Sequence, residues 1–166
     1  DALNWLRDEC AEILESRGAA FFHDPWAARD DYIEVVLDRS DDSVERFLAT
    51  HANGENNRVT ALELLEMQRN AMLMYTSGGW FFNDVSGIET VQVLHYAARA
   101  IQLAEKISGR PLELELLQRI SHARSNLPDH GDGRQIYERE VKPTRLDLRR
   151  VAAHYAVASL FDNFNH

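Results

Sequence analysis

Apolar residues recur every three or four positions along almost the whole chain, and period-two alternation never lasts long enough to describe a strand. The pattern predicts an all-α fold, a helical bundle of about seven helices. A first helix over residues 2–17 places Leu3, Leu6, Cys10, Ile13 and Leu14 on one face, and Gly18 offers the left-handed C-cap that other residues resist. Asp24 and Pro25 read as N-cap and first turn of a second helix reaching residue 37, because the missing proline N–H is unpaired there in any case. Ser40 or Asp41 caps a third helix, which Asn53-Gly54 ends.

Thr60-Ala-Leu-Glu63 has the form of a capping box and starts a fourth helix, about residues 60–76. Leu62, Leu64, Leu65, Met67, Met72, Leu73 and Met74 make it apolar on more than one face, so it should be buried on several sides. Gly78-Gly79 breaks it, and Ser86-Gly-Ile-Glu89, a second capping box, launches a fifth helix, about residues 86–108. These two helices are predicted to form a central antiparallel pair, since both are widely apolar and their connection is short. Gly109 stops the fifth helix, and Pro111 opens a short sixth to about residue 122. A turn-rich loop over 125–133 then leads into a last helical segment, residues 134–161, broken or kinked at Pro143.

Composition narrows this picture to a single helical domain over residues 1–166, long enough to bury roughly two-thirds of its unfolded surface. The 27 acidic against 18 basic side chains give a net charge of −9, which repels nucleic acid and anionic lipid. A lone cysteine cannot staple the domain, and Cys10, set among Trp5, Leu6, Ile13 and Leu14, reads as a small buried hydrophobe. No apolar run approaches the roughly 18 residues of a membrane span, and no leader pattern opens the chain, so a cytoplasmic setting is expected. The chain starts at Asp1 with helical patterning already under way, and it reads as a piece of a longer protein.

Signatures of a complete site are not evident: no phosphate-binding glycine loop, no paired cysteines, no His-Glu-x-x-His, and seven histidines scattered singly. No cofactor, metal or catalytic residue is therefore assigned. Residues 75–89 depart from an ordinary bundle pattern, with two glycines, three consecutive aromatics and then Asn83, Asp84 and Ser86. Aromatic faces beside carboxylate and amide groups suit a sugar ring, whose C–H face packs on the aromatic while its hydroxyls need polar partners. The same residues also suit a tight interhelical turn whose aromatics plug the core. At such a tip Phe81 or Phe82 is expected to turn inward, leaving the indole of Trp80 for a partner. On the fifth helix, Gln92, His95, Arg99 and Gln102 form a polar strip, either a solvated face or one packed against another domain, and Glu66, Arg69 and Asn70 share a face of the fourth. Trp5 and Trp26 lie in helical patterns and read as core.

The run Glu66-Met-Gln-Arg-Asn-Ala-Met-Leu-Met-Tyr-Thr-Ser-Gly-Gly-Trp-Phe-Phe-Asn-Asp-Val-Ser-Gly-Ile-Glu-Thr-Val-Gln resembles the signature of domain of unknown function 3536. The opening Asp-Ala-Leu-Asn-Trp-Leu-Arg-Asp, Asp24-Pro-Trp-Ala-Ala-Arg-Asp-Asp-Tyr-Ile and Val151-Ala-Ala-His-Tyr-Ala-Val-Ala-Ser-Leu-Phe are similar to the same family, so the resemblance spans nearly the whole chain. Gly78 departs from it, standing where many such domains carry cysteine. The resemblance implies a C-terminal helical domain of a glycoside hydrolase family 57-like, α-glucan-active protein, packed on a catalytic barrel earlier in the same chain. It implies that the catalytic Glu and Asp belong to the barrel and that this chain alone is inactive. Trp80, Phe81, Asn83 and Asp84 would then line the sugar cleft, and Gln92, His95 and Arg99 would form the interdomain face. The alternative is a purely structural or protein-interaction module with no carbohydrate contact.

Overall fold

A computed structural model describes residues 1–54, 57–81, 84–145 and 147–159; the side chains of Trp80 and Leu148 lie outside the description. Helix α1 (Ala2–Gly18) buries Leu6, Cys10, Ile13 and Leu14, the face expected from their spacing. Burial pushes the Cys10 thiol up to about 12, with the neighbouring Glu9 charge adding to the effect, so it stays protonated and packs as an apolar group. Gly18 is not a left-handed cap. It ends α1 from inside the helix, and a Cβ there would stand 2.6 Å from Cβ of Pro25; the glycine is needed for that close approach.

Asp24 caps α2 (Pro25–Asp31) as expected, accepting from the amides of Trp26 and Ala27. The single helix expected to residue 37 is divided at Tyr32, after which α3 (Ile33–Leu37) follows. Tyr32 is drawn into the core and its hydroxyl donates to Glu66 at 2.8 Å, an attachment that helical periodicity does not reveal. Ser40 caps α4 (Asp41–His51) through the amide of Ser43.

The central pair is α5 (Arg58–Leu73) and α6 (Ile88–Ser108), packed along each other. They run antiparallel, since Lys106 near the end of α6 meets Glu63 near the start of α5 at 2.6 Å. Leu64, Leu65, Met67 and Ala71 of α5 and Val93, Leu94, Ala97, Ile101 and Ala104 of α6 bury the seam. Neither expected capping box forms. Asn57 caps α5 by accepting from Val59 and Thr60, and the Glu63 carboxylate pairs with Lys106 instead of reaching back. Ser86 donates its hydroxyl to Asp84, so α6 starts at Ile88 behind Gly87, without a side-chain cap. Gly109, with φ of 74°, stops α6 as expected.

Helix α7 (Glu113–Ile120) begins later than Pro111 because its cap comes from α6: the Glu105 carboxylate accepts from the amides of Leu112 and Glu113. Asp132 and Gln135 form a reciprocal capping box on α8 (Gly133–Ile136), which widens into a π-helical turn, Tyr137–Val141, and a 3-10 turn, Lys142–Thr144. The expected break at Pro143 thus takes the form of a wide turn that lets the ring in without a clash. Helix α9 (Leu148–Ala158), capped by Asp147, is exposed from residue 149 to 157 and stands clear of the core. Trp5 and Trp26 are half-buried against that core, with Arg119 and Arg29 over their respective rings at 4.9 and 4.7 Å.

The described residues form an all-α helical bundle with no strand beyond two isolated bridges. No helix among them is long and apolar enough to cross a membrane.

Candidate functional site

Two regions carry the polar residues singled out from the pattern. The larger is a groove of about 340 Å³ between α5, α6 and residues 141–145. Four residues of α6, Gln92, His95, Arg99 and Gln102, form one wall, as their three- and four-residue spacing requires. Glu66, Arg69 and Asn70 of α5 form the second, so the strips expected on separate helices face each other. Thr144 and Arg145 complete the groove from the C-terminal side. Pattern reasoning missed these last two, since no local signal ties them to lining residues more than forty positions upstream.

Most charges in the groove are paired. Glu66 accepts from the Tyr32 hydroxyl and Arg39, both at 2.8 Å, and from Arg69 at 3.3 Å. Burial works against its charged form, but those three donors win and hold the carboxyl below its ordinary range. Arg145 donates to Glu113 at 2.7 Å, and Glu113 also accepts from the Tyr137 hydroxyl at 3.0 Å. Arg99 differs: its guanidinium donates to the neutral Gln102 at 2.7 Å and pairs with no carboxylate among the described residues. His95 Nδ1 lies 3.2 Å from the Thr144 hydroxyl, which donates its own proton to the Val141 carbonyl at 2.8 Å. With the Thr144 proton directed to the Val141 carbonyl, the contact puts the ring proton on Nδ1.

The second region is the connection between α5 and α6. Helix α5 ends at Leu73, before the two glycines, and a 3-10 turn, Ser77–Trp80, closes the tip. Trp80 therefore stands at the end of the central pair, with its side chain outside the described residues, as are Phe82 and Asn83. Of Phe81 and Phe82, one of which is expected to turn inward, Phe81 is 82% exposed and Phe82 lies outside the described residues; Ile88 at the start of α6 is 79% exposed.

Asp84 holds this tip in place. Its carboxylate accepts from the Ser86 amide and hydroxyl at 2.7 and 2.5 Å, from the Ser125 hydroxyl at 3.0 Å and from the Asn126 amide at 2.6 Å. The Ser86 hydroxyl, then the Ser86 amide, and further the Asn126 amide and Ser125 hydroxyl hold the carboxyl well below the usual carboxylate range. A carboxyl whose folded-state pKa is depressed adds stability above its unfolded pKa, and the contribution is lost as the pH falls from about 4 downward. The Asp84→Asn variant is accordingly expected to be less stable at neutral pH and to lose less stability on acidification than the native chain. Urea midpoints for both proteins between neutral pH and about pH 2 measure it; parallel curves would remove Asp84 as the clamp.

The site residues expected from the pattern thus fall into two separate groups, the tip and the groove. No group of three or more His, Cys, Asp or Glu among the described residues is placed to hold a metal ion. A family model described as Domain of unknown function (DUF3536) matches residues 1–166. Neither a curated protein nor a solved structure matches the chain.

Proposed function

The chain belongs to the DUF3536 family, and from that premise we propose that it is the non-catalytic, C-terminal accessory domain of a glycoside hydrolase family 57-like, α-glucan-active protein. The observation that carries the reading is the tip of the central pair. Phe81 and Ile88 are exposed on a connection that Asp84 ties to the loop at Ser125 and Asn126. A held connection that presents apolar surface suits a neighbouring domain or the flat face of a sugar, because little ordering entropy remains to be lost on contact. In this reading Trp80, Phe81 and Asn83 supply the cleft contacts. Asp84 ties the connection to the loop at Ser125 and Asn126 and offers only its remaining acceptor capacity to a hydroxyl. The α6 face with Gln92, His95 and Arg99 turns toward the barrel.

The second reading, a structural or protein-interaction module without carbohydrate contact, is favoured by the same Asp84, whose oxygens are engaged by donors of the domain itself. Maltooligosaccharide binding to the barrel-containing protein separates the two. Phe81→Ala and Trp80→Ala are each expected to weaken binding about fivefold or more, the scale of one lost aromatic contact worth ~1 kcal/mol. Unchanged affinity and turnover in both variants would leave the structural module standing.

A further inference from the structure

We propose that the groove between α5, α6 and residues 141–145 binds a small polar molecule bearing an oxyanion, a phosphate monoester or a carboxylate, with Arg99 as its principal contact. In the proposed arrangement the same α6 face turns toward the barrel, so the groove lies along that boundary; the inference rests on this chain's own residues.

The argument begins with size. About 340 Å³ lies at the lower end of the roughly 300–1,000 Å³ typical of small-molecule sites, enough for a sugar-sized molecule. The lining then sets the chemistry. It contains three guanidinium groups, Arg69, Arg99 and Arg145, against one carboxylate, Glu66, in a chain whose net charge is −9. Arg69 shares Glu66, and Arg145 is held by Glu113. Among the described residues Arg99 alone of the three pairs with no carboxylate, its partner being the neutral Gln102, and it is half-buried.

A cation partly withdrawn from water without a counter-charge is costly, and an arriving oxyanion removes that cost while using the planar fork of donors the guanidinium offers. His95 lies one turn before Arg99 on the same face and lines the groove, adding a second polar group for the ligand. Asn70 and Gln92, both able to donate and accept, suit the hydroxyls of the same ligand. A neutral sugar would leave the Arg99 charge unanswered, and a divalent cation would be repelled by it.

Titration calorimetry and amide-shift mapping on the chain at fixed ionic strength, with glucose 6-phosphate, gluconate and glucose as probes, test the proposal. At least one anion is expected to bind at least about tenfold more tightly than glucose, with shifts at Gln92, His95, Arg99 and Thr144. Tighter glucose 6-phosphate binding identifies a phosphate ester as the recognised group, and tighter gluconate binding a carboxylate. Arg99→Gln is expected to lose at least about tenfold of that affinity with an unchanged helical spectrum, and Arg99→Lys to keep part of it. Should Arg99→Gln fail to fold, Gln92→Ala with mapping on the native chain carries the test. Equal binding of glucose and both anions, binding of none of the three, or shifts confined to surfaces away from the groove would overturn it.

Discussion

Replacing Tyr137 with alanine is expected to cost the fold about 3–5 kcal/mol, the range for removing a large buried aromatic. Tyr137 is fully buried in the π-helical turn that packs on α6, and its hydroxyl donates to Glu113 at 3.0 Å. Burial first, then the neighbouring Glu113 charge, push the phenol above its ordinary range, so it stays a donor across the working pH range. Truncation opens a cavity beside α6 and removes one of the two donors that fix Glu113, leaving Arg145 to hold it. Tyr137→Phe keeps the ring and should cost only about 0.5–1.5 kcal/mol, the net worth of one hydrogen bond. Urea unfolding of the two variants separates packing from hydrogen bonding; equal losses would show that the ring contributes nothing beyond its hydroxyl.

The other large effect lies in the seam of the central pair. Leu65→Ala in α5 is expected to destabilise by about 2–5 kcal/mol, and Leu94→Ala in α6 by a similar amount. Leu65 is 1% and Leu94 5% exposed, and each belongs to the continuous core. Neighbouring helices are held from both sides by other elements, α5 and α6 both packing on α1, so the space left by a deleted side chain cannot close fully. Unfolding midpoints in urea give the loss directly. A change below about 0.5 kcal/mol for either variant would mean that its side chain lies outside the seam.

Much of this architecture is legible in the linear sequence because its physics is local. The three- and four-residue spacing that puts Leu6, Cys10, Ile13 and Leu14 on one side of α1 requires a helix whatever else the chain does. Asp24 before Pro25, Ser40 before α4 and Gly109 after α6 are local devices that satisfy or close helix ends, and each acts where the sequence puts it. Pro143 forbids a regular helix through its position for reasons internal to the proline ring. The two helices at the centre follow in the same way, from apolar faces too wide to leave in water and a connection too short to separate them.

Tertiary structure alone decided which partner each polar group takes. Glu63, Ser86 and Glu105 show the rule: two residues spaced for capping boxes bind elsewhere, and the third caps a helix that starts eight positions later. A capping box contributes about as much as a salt bridge or another hydrogen bond, so the nearest charged or donating group in three dimensions settles the competition. Asp84 is drawn to Ser125 and Asn126, forty-odd residues away, and the groove assembles from 66–70, 92–102 and 141–145 in the same manner. The sequence alone determines that Gln92, His95 and Arg99 share a face, because helical spacing is a property of a single segment. Only the fold decides that Arg99 lines a groove and, among the described residues, pairs with Gln102 rather than a carboxylate, because charge pairing depends on distances between segments that the linear pattern does not contain.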